Sequence, residues 1–168
     1  MKSNIAVIGS DSGDTTLSSS VLKIAESIGR RIAQKGGVLL CGGRGGIMEA
    51  ACKGVKKEGG ISVGILPSTK LEANQYVDIG LPTGLGHMRN YLVVNTADAV
   101  IAVCGRYGTL NELSYAIIQQ KPLILVKGTG GIVDEIINDT SLLLQGKKFS
   151  IASSAEEAVT LAYQKIKH

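Results

Sequence analysis

The chain has 168 residues, 44% of them hydrophobic, with a formal charge of +4 and a pI near 9.0, enough for one domain spanning residues 1–168 with a substantial core. The lysines are dispersed, the C-terminal ones (Lys147, Lys148, Lys165, Lys167) reading as solvated ends, and five Tyr, one Phe and no Trp give few rings for stacking bases; a nucleic acid polymer is thereby disfavoured and a small anionic ligand preferred. No run approaches the roughly 20 apolar residues of a membrane span, and MKSNIAVIGS enters a strand-like run without a signal-peptide pattern, so a cytoplasmic protein is expected.

Short aliphatic runs alternate along the chain with stretches of helical period. IAVIG is followed by LSSSVLKIAESIGRRIAQK, in which Val21, Leu22, Ala25, Ile28, Ile32 and Ala33 form one apolar face and Lys23, Glu26 and Arg30 turn to water. GVLLC and ISVGILP come next, then an irregular region from Ser68 to Leu85 with at most one short strand at Tyr76 to Ile79. A helix is expected in MRNYLVVNTA, strands in DAVIAVC and PLILV, and a last helix in SAEEAVTLAYQKI. The strands are nearly all apolar, as strands covered on both faces are. This pattern predicts an α/β fold with a doubly wound parallel sheet, a Rossmann-like three-layer sandwich. YLVVNTADAVIAV is apolar enough to serve as core or as an interface between subunits. Cys41, Cys52 and Cys104 are an odd number without metal-ligand spacing and read as reduced packing residues, with no metal site.

Ligands of such sheets collect at the carboxyl ends of the strands. Three glycine-rich turns occupy that kind of position: Gly9-Ser10-Asp11-Ser12-Gly13, Gly42-Gly43-Arg44-Gly45-Gly46 and Gly105-Arg106-Tyr107-Gly108-Thr109. Glycine lets backbone N–H groups approach a ligand, and a following helix adds unpaired donors and partial positive charge, which together seat a phosphate. The second and third turns share a spacing, Cys41-Gly42-x-x-Gly45-x-x-x-Glu49 and Cys104-Gly105-x-x-Gly108-x-x-x-Glu112, with each acid expected in the first turn of its helix. Thr109 lies three residues before Glu112, so that pair fits a capping box as well as a ligand site. Gly46, at the equivalent position, has no hydroxyl. Arg44, Arg89 and Arg106 suit bidentate contact with phosphate or carboxylate, with a solvated surface role as the alternative. His87 and His168 have no partners in sequence and receive no catalytic role.

GGRGGIMEAACKG (Gly42 to Gly54), VGILP (Val63 to Pro67), MRN (Met88 to Asn90) and GRYGTLNE (Gly105 to Glu112), in this order, resemble the LOG ("lonely guy") family and its relatives, which include the molybdenum cofactor carrier proteins and members once labelled possible lysine decarboxylases. The resemblance runs from about residue 4 to 126. It implies cleavage of the N-glycosidic bond of a nucleoside 5′-monophosphate, with Glu112 as the acid and Arg89 completing the site. It further implies a phosphate seat of Gly105, Gly108 and Thr109, with Gly42, Gly43, Arg44, Gly45 and Gly46 opposite. Gly9, Ser10, Met88 and Arg106 join the expected binding residues. A carboxylate near an oxocarbenium-like ribose stabilises charge or activates water, and no cofactor is required. A homo-oligomer, dimer or higher, is also implied. Two departures matter: Arg106 stands where the enzymes keep a second glycine, and Asn90 where a lysine commonly follows the arginine. Both resemble the carrier branch, whose occupant would be a phosphate, a nucleotide or the molybdenum cofactor.

Overall fold

The computed structural model describes residues 1–138 and 149–166; Lys147, Lys148, Lys167 and His168 lie outside them. Seven parallel strands form one sheet: β1 (Asn4–Gly9), β2 (Val38–Cys41), β3 (Ile61–Leu66), β4 (Ile79–Pro82), β5 (Ala99–Val103), β6 (Leu123–Val126) and β7 (Ser150–Ala152). Their order across the sheet is β4-β3-β2-β1-β5-β6-β7. The helices are α1 (Ser19–Gln34), α2 (Ile47–Lys57), α3 (Asn90–Asn95), α4 (Tyr107–Ile118), α5 (Gly131–Asn138) and α6 (Ala155–Lys165).

The alternation of side chains along each strand divides the core into two layers. Ile5 and Val7 of β1, with Ile101 and Val103 of β5, pack against α1, α2 and α6. Ala6 and Ile8, with Val100 and Ala102, pack against α3, α4 and α5. Every residue of β5 is buried, as the apolar strand runs require. The doubly wound three-layer arrangement is therefore the one the alternating pattern predicts. Val93, Val94 and Ala97 are likewise buried, while Tyr91 is half exposed, so YLVVNTADAVIAV is largely core.

Helix α1 is capped by Ser18, whose hydroxyl accepts the Val21 N–H. Its buried residues include Val21, Ala25, Ile28 and Ile32. Glu26 departs from the expected water-facing position: it is half buried and binds Lys57 at 2.6 Å across the α1–α2 crossing. The two helices meet backbone to backbone, since a Cβ on Gly29 would strike the Ala51 carbonyl and one on Gly54 the Glu26 carbonyl.

The strand expected at Tyr76 to Ile79 begins three residues later, at Ile79. Ser62 is the reason. Its N–H and hydroxyl both donate to Asp78 (3.0 and 2.9 Å), and the hydroxyl also reaches the Tyr76 carbonyl at 3.0 Å. Side-chain bonds thus replace the backbone ladder before β4. Pro82 pairs with Leu66 on this edge strand, where a missing N–H is tolerated.

From β1 the chain winds outward to β4, and α3 then carries it back to β5 on the other side of β1. The carboxyl ends of β1 and β5 consequently flank the point where the winding reverses, the place where open α/β sheets hold ligands.

Candidate functional site

A cleft of about 290 Å³ lies at this reversal, lined by Gly9, Ser10, Asp14, Arg44, Arg89, Arg106, Gly108, Thr109 and Glu112, with Asp11, Gly13, Met48, His87 and Asn90 around them. Its floor is made where β1 meets β5. A Cβ on Gly9 would strike the Val103 carbonyl, so glycine is what allows the strand end to pass so close. Ser10 then ties the first turn to the third: its hydroxyl accepts the Gly105 N–H at 3.0 Å and donates to Asp14 at 2.6 Å. Cys104 has φ of 57° and Gly105 φ of 102°. Positive φ is uncommon for a residue with a side chain, and the Thr129 hydroxyl holds Cys104 there by accepting its N–H at 2.9 Å.

Three turns were expected to feed helix N-termini, and the structure separates them. The first does not lead directly into a helix, because α1 starts only at Ser19. The second leads into α2, but the Ile47 N–H is already donated to the Ser10 carbonyl at 2.9 Å. The third leads straight into α4, whose first intrahelical bond runs from the Leu110 N–H to the Arg106 carbonyl at 2.8 Å. The N–H groups of Tyr107, Gly108 and Thr109 therefore lack intrahelical partners, and Gly108 and Thr109 line the cleft.

Of the two roles open to Thr109 and Glu112, the capping box is absent. Helix α4 begins two residues before Thr109, with Arg106 as its N-cap and no side-chain cap bond. Glu112 accordingly lies beyond the first turn, while Glu49 does sit in the first turn of α2. Glu49 opens on a groove between α1 and α2 together with Lys53 and Glu26, away from the cleft. The shared spacing therefore places two acids in unlike surroundings.

Glu112 is 6% exposed and Arg89 7%. Arg89 Nη1 donates to Glu112 Oε1 at 3.5 Å, and Arg89 Nε is buried without a partner. The guanidinium occupies the space a side chain at Gly42 would fill. Burial pushes the Glu112 carboxyl up to about 8, against the opposing pull of Arg89. The group is thus mostly protonated at neutral pH and able to donate a proton.

Each turn arginine is anchored by an acid of the first loop, to which no sequence motif assigns a role. Arg44 Nε lies 3.1 Å from Asp11 Oδ2, and Arg106 Nε 3.2 Å from Asp14 Oδ1. Arg106 remains 62% exposed at its side chain while Asp14 is only 3% exposed. Burial disfavours the charge on Asp14, but hydrogen bonds from Ser10 and Thr16 and the Arg106 charge outweigh it and hold its carboxyl down at about 2. The sequence signal for Asp14 was DTT: Asp14 Oδ1 accepts both the Thr16 N–H and hydroxyl, the local turn such residues favour.

Gly42, Gly43, Gly45 and Gly46 do not line the cleft. A Cβ on Gly45 would meet Ser12, and one on Gly46 the Ser10 carbonyl, so this turn is packed against the first loop. Gly105 lines a neighbouring cavity with Tyr107 and Glu135, and Met88 is 73% exposed beside a third with Asn111 and Tyr115. Asn90 donates to Asn111 at 3.0 Å. His87, given no role in sequence, borders the cleft.

The model of the SLOG cluster4 family matches residues 2–159. An uncharacterized protein of Archaeoglobus fulgidus is 42% identical over 123 residues, 73% of this chain and 79% of that one. The molybdenum cofactor binding protein of Rippkaea orientalis is 38% identical, covering 99% of both chains with a TM-score of 0.83. The molybdenum cofactor carrier protein of Chlamydomonas reinhardtii is 34% identical, covering 97% of this chain and 98% of that one, also with a TM-score of 0.83. The resemblance read from the glycine turns thus holds across nearly the whole chain.

Proposed function

The chain belongs to the SLOG cluster4 family, and from that premise we propose that its cleft binds a small phosphorylated ligand, with the molybdenum cofactor as the principal occupant and the protein as its carrier. One observation carries the reading: Gly108 and Thr109, whose N–H groups have no intrahelical partner, line a cleft that also holds Arg44, Arg89 and Arg106. Backbone donors at a helix N-terminus combined with guanidinium groups suit a phosphate monoester. Likeness to a molybdenum cofactor binding protein and a carrier protein over almost the full length of each supports the choice of occupant. Arg106 supports it too, since it brings a bulky cation to this turn where the hydrolases of the family keep a glycine, held by Asp14 through Nε and still 62% exposed at its side chain. Thermal shift and native mass spectrometry with the isolated molybdenum cofactor and with nucleoside monophosphates test the proposal. Stabilisation by the cofactor is expected; stabilisation by none of them sinks the binding reading.

The buried Arg89–Glu112 pair favours a second reading, hydrolysis of a nucleoside 5′-monophosphate to a base and ribose 5-phosphate. A carboxyl that keeps its proton at neutral pH is suited to protonating a departing base, the acid role rather than the water-activating one. Base release from a panel of monophosphates, abolished in Glu112→Ala, is the expected result; release no faster than in that variant removes the hydrolase.

A homo-oligomer forms part of the proposal. Met88 and Ile118 are 73% and 75% exposed, apolar surface that a second subunit would cover. Sedimentation velocity is expected to give a dimer or larger species.

A further inference from the structure

Arg106 stands between two cavities. One is the cleft; the other, of about 380 Å³, opens over Thr16, Gly105, Tyr107, Ile132 and Glu135 at the start of α5. This second cavity is also fed by a glycine-rich turn, Gly128-Thr129-Gly130-Gly131, yet its chemistry is the reverse of the cleft's. The Ile132 and Val133 N–H groups are spent on the carbonyls of Gly105 (2.8 Å) and Cys104 (3.3 Å). Those of Gly128 and Gly130 go to the Asp134 carboxylate, each at 2.8 Å. The α5 turn therefore has few donors left for a phosphate. What the cavity offers instead is an acceptor, the exposed Glu135 carboxylate, and an aromatic residue, Tyr107, which is 88% exposed.

A carboxylate beside an aromatic face matches a flat heterocycle that presents adjacent N–H and amino donors along one edge. Building on the phosphate seat proposed above, we infer that this second cavity receives the ring of the same ligand, and that Glu135 selects a 2-amino-4-oxopyrimidine edge, the edge shared by guanine and pterins. The two cavities meet at Arg106, so one molecule with an anionic end and a donor-rich ring spans both. Rings lacking the exocyclic amine make one hydrogen bond fewer to the Glu135 carboxylate, and rings with acceptors on that edge are repelled. Discrimination of this kind comes from hydrogen bonds to a charged acceptor rather than from shape. Glu135 is then a specificity residue, without a part in holding the phosphate.

Calorimetric titration of ribose 5-phosphate, GMP and IMP into the intact protein and into Glu135→Ala separates the two compartments. GMP and IMP differ only in the amino group. Expected is a preference for GMP over IMP of about tenfold or more in the parent protein, falling to near parity in Glu135→Ala while ribose 5-phosphate binds both proteins equally. Tyr107→Ala is expected to weaken both nucleotides and leave ribose 5-phosphate unchanged. Equal binding of GMP and IMP where ribose 5-phosphate still binds, or a preference that survives Glu135→Ala, overturns the role of Glu135 and leaves the phosphate seat standing. Absence of binding by all three overturns the seat, and the ring compartment with it.

Discussion

A carboxylic acid that keeps its proton beside an arginine needs a reason, and for Glu112 the reason is desolvation. The Arg89 guanidinium is 3.5 Å away and favours the charge, but the loss of water around a side chain this buried outweighs it and lifts the carboxyl from 4.5 to about 8. The sign of the resulting pH dependence follows. Between those two values the folded protein holds a proton that the unfolded chain has released, so stability is greatest at the acid end and is lost as pH rises through about 8. The loss amounts to roughly 1.4 kcal/mol per pH unit crossed. Thermal melts from pH 5 to 9 are expected to fall accordingly in the parent protein, after allowance for other groups, and to be flatter in Glu112→Gln. Asp14 has the opposite sign: its depressed carboxyl contributes stability above its ordinary 3.8, lost as pH falls through about 2. Asp14→Asn should therefore destabilise the protein at neutral pH by about 1–3 kcal/mol in denaturant titration and release Arg106. Gly42→Ala puts a methyl where the Arg89 guanidinium sits. Loss of phosphate-ligand affinity by at least tenfold, with the fold retained by circular dichroism, is the expected outcome; unchanged affinity would show that Arg89 does not need its present seat.

The elements differ in how openly the chain announces them. β1, β5 and β6 are covered on both faces, so nothing but aliphatic runs could serve there, and their positions are legible. β7, with Ser150 and Ile151 only partly covered at the sheet's edge, carries no comparable signal and was not anticipated. Helix starts were the harder matter. A glycine turn before a helix looks the same in sequence whether its N–H groups are free, as at α4, or taken by neighbouring carbonyls, as at α5 and, for Ile47, at α2. Only the packing of loop on loop distinguishes them. The α1–α2 crossing is a similar case, because Gly29 and Gly54 read as weak points of two helices until their backbones are seen in contact. Gly54→Val forces those backbones apart, and a loss of about 3 kcal/mol or more in chemical unfolding is expected; a loss under 1 kcal/mol would mean that the helices separate freely.

Over the whole molecule, the reversal of winding between β1 and β5 does two things at once. It buries the central strands between neighbours on both sides, and it leaves their carboxyl ends open as a cleft. Amide exchange should therefore be slowest in β1 and β5 and faster in the edge strands β4 and β7; equal protection across the sheet would contradict a core centred on β1 and β5. The same winding explains which parts of the site could be read in advance. Arg89, Arg106, Thr109 and Glu112 lie in or next to recognisable motifs, and the cleft does gather them. Asp11 and Asp14 come from the loop after β1, distant in sequence from Arg44 and Arg106, and their pairing with those arginines exists only because β1 lies between β2 and β5. The amino-acid sequence by itself determined the layered α/β fold, the family and the principal residues of the cleft, since periodicity, apolar runs and local motifs are properties of neighbours along the chain. Tertiary structure alone decided which glycine turn keeps its donors, which acid keeps its proton and which carboxylate anchors each arginine. Those outcomes depend on burial and on partners that are distant in sequence.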